Sequence, residues 1–252
     1  MMILARRERR AGGRLLFGST LFLSGVSVAA LLAGACAVVP GCRSSPPPAA
    51  ATGETSRADA AVPPTGAGGQ SGWRPLFDGS LSGWEVVDFG GEGGVSAEDG
   101  RLVLEMGQPM TGVRTLRDFP RLDYEISLEA MRVDGYDFFC GLTFPVRDSC
   151  ASLIVGGWSG SVCGISSLDG FDASENETMT IQEIENGRWY SILLRVTGRG
   201  IEAWLDGKVI VDVATAGRRI DTRLEISPCR PLGFATFVTG AALRNVRWRR
   251  IE

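Results

Sequence analysis

Five aspartates could supply the paired carboxyl groups that acid–base chemistry needs. Asp134 and Asp137 precede the run Phe138–Phe144, Asp148 follows it, and Asp169 and Asp172 open an acidic stretch ending at Glu177. Chemistry at a glycosidic bond calls for paired carboxyl groups, one to give a proton and one to act as base or nucleophile. Asp137, between Tyr136 and Phe138, and Asp169 are the candidate catalytic residues. The same residues also suit plainer work, because Asp134-Gly135 and Asp169-Gly170 are dipeptides that β-turns use. Arg147 is the candidate substrate grip, since a guanidinium bonds in pairs; an ion pair with Asp148 or another acid is its structural alternative. Trp158 sits in Gly156-Gly157-Trp158-Ser159-Gly160, where an indole without bulky neighbours offers a face to sugar C–H groups. Its alternative is a lid folded back over a core. Trp84, Trp189, Trp204 and Trp248 fall in strand patterns and read as packing residues.

No histidine occurs in the 252 residues. That removes the commonest general base near neutral pH, the commonest transition-metal ligand, and every Ser-His-Asp or Cys-His arrangement. Chemistry must rest on carboxylates, Arg, Tyr, Cys or an oxygen-liganded cation. No cofactor is expected. Calcium at Asp169–Glu177 is the one cation the residues leave open, although the spacing matches no EF-hand loop. Residues 71–252 carry 19 basic against 26 acidic side chains, which argues against nucleic acid as a partner. Cys140, Cys150, Cys163 and Cys229 read as staples or buried thiols. Four cysteines permit three pairings, and the sequence does not choose among them.

The elements that position these residues follow from punctuation and period. Arg6, Arg7, Arg9, Arg10 and Arg14 precede an uncharged run, Leu15–Val39, so residues 1–42 read as a lipoprotein-type signal or a membrane anchor. Leu31-Leu32-Ala33-Gly34-Ala35-Cys36 resembles a bacterial lipobox, and Val39-Pro40-Gly41-Cys42 is a weaker second candidate. Cys36 and Cys42 are therefore the lipidation candidates. Residues 43–70, rich in Pro, Ala and Gly, read as a disordered tether. Both features predict an exported, lipid-anchored domain at a bacterial cell envelope, with the membrane as a partner. In that setting the Asn176-Glu177-Thr178 sequon has little use.

From residue 71 onward the period is two. Tyr190, Ile192, Leu194 and Val196 alternate with Trp189, Ser191, Arg195 and Thr197, and the turn Asp206-Gly207 leads into Lys208–Val213. Leu122–Met131 alternates as cleanly. A dozen short strands with close turn signals and no amphipathic helix predict an all-β, two-sheet antiparallel sandwich.

Several motifs resemble one family. Leu76-Phe77-Asp78-Gly79 with Gly83-Trp84 resembles the "LFDG…GW" opening of the 3-keto-disaccharide hydrolase domain, also described as a 3-keto-glycoside hydrolase or lyase. Glu98-Asp99-Gly100-Arg101-Leu102, Trp189-Tyr190, Ile201–Gly207, Pro231–Phe234 and Leu243–Arg247 resemble its later turns and strands. The resemblance covers about 71–252 and implies a concanavalin A-like jelly roll of the lectin/glucanase type, with carbohydrate as partner on a concave face. It implies cleavage or elimination at a sugar oxidised at C3. A carboxylate such as Asp137 or Asp169 would be the base, and Arg147 and Trp158 the substrate contacts. Two departures stand out: Ala151–Val155 offers no carboxylate or amide, and histidine is missing. The alternative is therefore a non-catalytic carbohydrate-binding module, and a third reading is a structural envelope domain.

Overall fold

The computed structural model describes residues 72–252. The signal or anchor over 1–42, the tether over 43–70 and the candidates Cys36 and Cys42 lie outside the described residues.

Two antiparallel sheets make up the fold. One runs β13 (Lys208–Ala214), β12 (Gly200–Leu205), β11 (Trp189–Val196), β6 (Tyr124–Gly135), β15 (Thr239–Arg250), β4 (Arg101–Leu104) and β3 (Val95–Glu98), with β1 (Arg74–Pro75) paired to β15. The other runs β10 (Thr180–Ile181), β9 (Val162–Ser166), β8 (Ser149–Gly157), β7 (Cys140–Val146), β14 (Gly233–Phe237), β5 (Met110–Thr115) and β2 (Trp84–Val86). Among the described residues the only helix is a 3-10 turn, Ser227–Cys229. The predicted sandwich is the observed one.

Alternation decides which side chains meet between the sheets. Tyr190, Ile192, Leu194 and Val196 of β11 and Tyr124, Ile126, Leu128 and Ala130 of β6 are buried there. Phe139, Leu142, Phe144, Leu153, Val155 and Phe234 oppose them from the second sheet. The Tyr124 hydroxyl donates to the Pro145 carbonyl at 2.6 Å, which ties one sheet to the other through the core. Asp206 and Gly207 both take positive φ, 50° and 77°, as the primed hairpin turn requires.

Asp134-Gly135 makes no turn. β6 continues through it, because the start of β15 supplies a partner and Gly135 pairs with Thr239. The Asp134 carboxylate accepts the Gly240 N–H at 2.8 Å, so its role is to hold this junction.

All four cysteines of the domain are free and buried. Cys140 and Cys163 point into the same core, but both pair with Val155, so β8 lies between them. Two strand spacings are about 10 Å, beyond the roughly 7 Å that a disulfide spans between Cα atoms. Burial pushes the Cys140 and Cys229 thiols up to about 12 and the Cys163 thiol to about 11, so they serve as small apolar residues.

The outer face of the seven-stranded sheet is not bare. Ile154, Val162, Met110 and Ala235 project from it and are covered by Ala173, Ile226 and Cys229 from two long loops. That apolar patch fills part of the face, and the remainder forms a cavity.

Candidate functional site

The cavity has a volume of about 290 Å³. Ile154, Met110, Phe237 and Ser166 come from four strands of the seven-stranded sheet and form its floor. Asp137, Phe138 and Trp158, from the connections flanking β7 and β8, line it together with Arg223, Glu225 and Ile226 from the 215–232 stretch. The floor strand β8 presents Ser152 and Ile154 outward and no carboxylate, as its sequence implied.

Asp137 and Trp158, chosen separately in the sequence, meet here. One Asp137 oxygen accepts the Phe138 N–H at 2.8 Å and the other accepts the Ser159 N–H at 3.0 Å. The carboxylate thereby holds the tip of the Trp158 loop. That tip needs holding, because Trp158 and Ser159 take φ of 49° and 69°, which a non-glycine residue adopts at a cost. Gly160 closes the loop at φ 100°, where an added Cβ would lie 2.6 Å from the Tyr136 carbonyl. Trp158 is left 36% exposed at the cavity rim.

Arg132 props the same loop from behind. Its buried guanidinium donates to Asn186 Oδ1 at 2.5 Å, to the Ile184 carbonyl at 2.6 Å and to the Gly160 carbonyl at 3.5 Å. It makes no ion pair among the described residues, and burial lowers its proton affinity.

Ion pairs hold the Arg223–Ile226 part of the wall. Arg223 sits on Glu225 through two nitrogens, at 3.3 and 3.2 Å, and also bonds Asp172. The hydrogen bonds from Arg223 hold Glu225 below the usual carboxylate range, so a charged carboxylate faces the cavity near neutral pH.

Asp169 and Arg147 do not line the cavity. The Arg219 N–H and the Arg218 side chain both bond Asp169 and lower its pKa, and Arg218 reaches on to Glu177 at 2.5 Å. Within the Asp169–Glu177 stretch, both Asp169 oxygens and one Glu177 oxygen are thus taken by a guanidinium or a backbone N–H. Arg147 follows the seven-residue β7, while Asp137 precedes it, which separates the two by about 20 Å at 3.3 Å per residue. Its guanidinium bonds the Gly198 carbonyl instead of Asp148.

Sequence reasoning missed Arg132, Arg223 and Glu225. Arg132 hides within a regular strand, and the 215–232 stretch has no period to mark it. It also missed Asn176. Its Nδ2 donates to the carbonyls of Ile165, Phe171 and Asp172, while its Oδ1 accepts from the Thr178 N–H and hydroxyl. The only signal was an Asn two residues before a Thr, the spacing of a local side-chain turn.

Two layered antiparallel sheets with a cavity on one outer face define a lectin-like jelly roll. A protein of unknown function with a galectin-like fold from Bacillus subtilis superposes with a TM-score of 0.51 at 11% identity, over 71% of this chain and 94% of that one. A candidate glycosyl hydrolase from Parabacteroides distasonis gives 0.46 at 14% identity, over 72% and 94%. A carbohydrate-binding module from Bacillus subtilis gives 0.44 at 13% identity, over 66% and 95%. No curated protein matches the chain. The family model described as the 3-keto-alpha-glucoside-1,2-lyase-like domain matches residues 72–252, and the chain belongs to that family.

Proposed function

We propose that the domain holds one ring of a saccharide oxidised at C3 in this cavity, with the ring stacked on Trp158. The observation that carries the reading is the support given to that indole. A carboxylate, a buried guanidinium and a positive-φ glycine hold an exposed tryptophan at the rim of a cavity. Its volume lies near the lower end of ligand pockets, about 300 Å³, which suits a single ring. A preorganised aromatic face binds sugar C–H groups at little entropic cost. Calorimetric titration of the purified protein with a 3-keto-glucoside tests this. Trp158→Ala is expected to weaken binding about tenfold, equivalent to about 1.4 kcal/mol. An unchanged affinity would place the ligand elsewhere.

Glu225 supports a second reading, turnover in the same cavity. A ketone at C3 acidifies the C2–H bond, and an ionised carboxylate is a competent base for it. Loss of that proton forms the C2–C1 double bond as the C1–O bond breaks, and the aglycone leaves with the electron pair and takes a proton from water. Glu225, not Asp169, is the base in this reading, because Glu225 lines the cavity and Asp169 does not. Aglycone release that is lost in Glu225→Gln would establish the enzyme. No release, with or without a divalent metal, would leave the binding module.

The basic run, the uncharged stretch and the lipobox-like cysteines support an exported, lipid-anchored setting. Metabolic labelling with palmitate is expected to mark the protein and to be lost in Cys36→Ser. Labelling that survives Cys36→Ser but not Cys42→Ser would move the anchor to the second cysteine, and no labelling at all would exclude a lipid.

A further inference from the structure

A larger groove, about 840 Å³, lies on the outer face of the other sheet. Its floor is low because Ser127 of β6 and Ser191 of β11 are short side chains on a face otherwise studded with Arg, Glu and Trp. Trp73, Arg74, Glu129 and Arg247 rise around them.

The charges in this groove are unevenly spent. Glu129 accepts Arg244 Nε at 2.7 Å and Asn245 Nδ2 at 2.9 Å, so both its oxygens are taken. Asp78, at one end, accepts the Ser80 N–H and hydroxyl, and its second oxygen lies 3.9 Å from Arg117. On β15, Arg244 and Arg249 are paired with Glu129 and Glu125. Arg247, between them, makes no ion pair among the described residues. Its guanidinium lies 4.9 Å from the Trp73 ring, which fixes the plane and leaves the N–H edges open. Arg74 is held in the same way, 5.8 Å from the Trp248 ring. The hydroxyls of Ser127 and Ser191 make no hydrogen bond to any described residue, and Ser127 stands opposite Arg247 in the ladder.

We infer that this groove is a second saccharide site, which takes a uronate-bearing oligosaccharide with its carboxylate on Arg247 and its hydroxyls on Ser127 and Ser191. A planar, oriented guanidinium matches a carboxylate through two parallel hydrogen bonds. The hydroxyl floor and the volume of the groove, about 840 Å³, suit two or three sugar rings better than a small inorganic anion. The site lies on the opposite sheet from the Trp158 cavity and does not depend on what that cavity binds.

Titration of the full-length protein with trigalacturonate and with the neutral trisaccharide of galactose decides the matter. Trigalacturonate is expected to bind, more weakly as salt rises, and the neutral sugar at least tenfold more weakly. Arg247→Ala, at an exposed position, is expected to lose at least tenfold in affinity with an unchanged melting temperature. Arg247→Lys should recover only part, because an ammonium keeps the charge and loses the paired geometry. The Trp158→Ala protein should bind trigalacturonate as the wild type does. Equal binding of both sugars, binding of neither, an Arg247→Ala protein that binds normally, or loss in Trp158→Ala would each overturn the proposal.

Discussion

Glu125→Ala is expected to lower stability by about 3 kcal/mol, although alternation puts residue 125 on the solvent side of its strand. The carboxylate is only 1% exposed. Its neighbours across the ladder are Arg195 of β11 and Arg249 of β15. One oxygen takes two Arg195 nitrogens at 2.8 and 2.7 Å, and the other takes Arg249 Nε at 2.6 Å. Trp204 lies 5.2 Å from the Arg195 guanidinium and Trp73 lies 4.6 Å from that of Arg249, so the acid sits under a roof of stacked cations. Alanine leaves two like charges facing each other across a gap. Both arginines reach water, which keeps the loss below the upper end of about 5 kcal/mol for a broken buried pair. Glu125→Gln keeps the volume and some hydrogen bonds and should cost about half as much. Urea unfolding reads the effect as a lower midpoint at constant slope. A change under about 0.5 kcal/mol would mean that the cluster behaves as an ordinary surface pair.

Asn176→Ala has the second large effect, about 3 kcal/mol, with a functional consequence attached. The amide ties Ile165 at the end of β9 to the loop that follows, and it accepts two hydrogen bonds from Thr178. At about 0.5–1.5 kcal/mol net for each bond, and with some carbonyls regaining water, five such contacts sum to roughly that loss. Asp172 lies in this loop and bonds Arg223, which in turn holds Glu225, so loosening the loop loosens a cavity wall. Saccharide affinity should fall several-fold in Asn176→Ala even at temperatures where the protein is folded. Asn176→Asp keeps the two accepted bonds but turns a negative oxygen toward three carbonyls, and it should be no better. A variant with wild-type stability and affinity would show that the loop is held by its arginines alone.

Much of the fold could be read from residue types, because strands advertise themselves by period. β6, β11 and β12 bury the residues that alternation assigns to the core, and the Asp206-Gly207 turn is where it was placed; β13 forms as expected but buries Ile210 and Val211 side by side, next to a register shift against β12. Asp134-Gly135 misled, since a turn dipeptide can also be swallowed by a strand when a partner is present, and β15 supplies one from over 100 residues away. The cavity was half legible. Trp158 stood out among glycines, and Asp137 stood out beside aromatics. Neither residue's spacing revealed that Asp137 bonds the Trp158 loop 22 positions later. Arg223 and Glu225 left no trace, because their placement depends on ion pairs between loops some 50 residues apart. Such contacts have no local pattern. Glu125 illustrates the same point for burial, since alternation fixes the face of a strand but not what lies on top of it.

The most direct test of the cavity reading is the indole N–H signal of Trp158, identified by its loss in Trp158→Phe, followed by NMR as a 3-keto-glucoside is added. Stacking of a ring there predicts a saturable shift at Trp158 and at the Ser159 and Phe138 amides that bond Asp137, with the indoles of Trp73 and Trp204 on the other sheet unmoved. A ligand that binds while Trp158 stays still, or that moves only the far-side indoles, would contradict it.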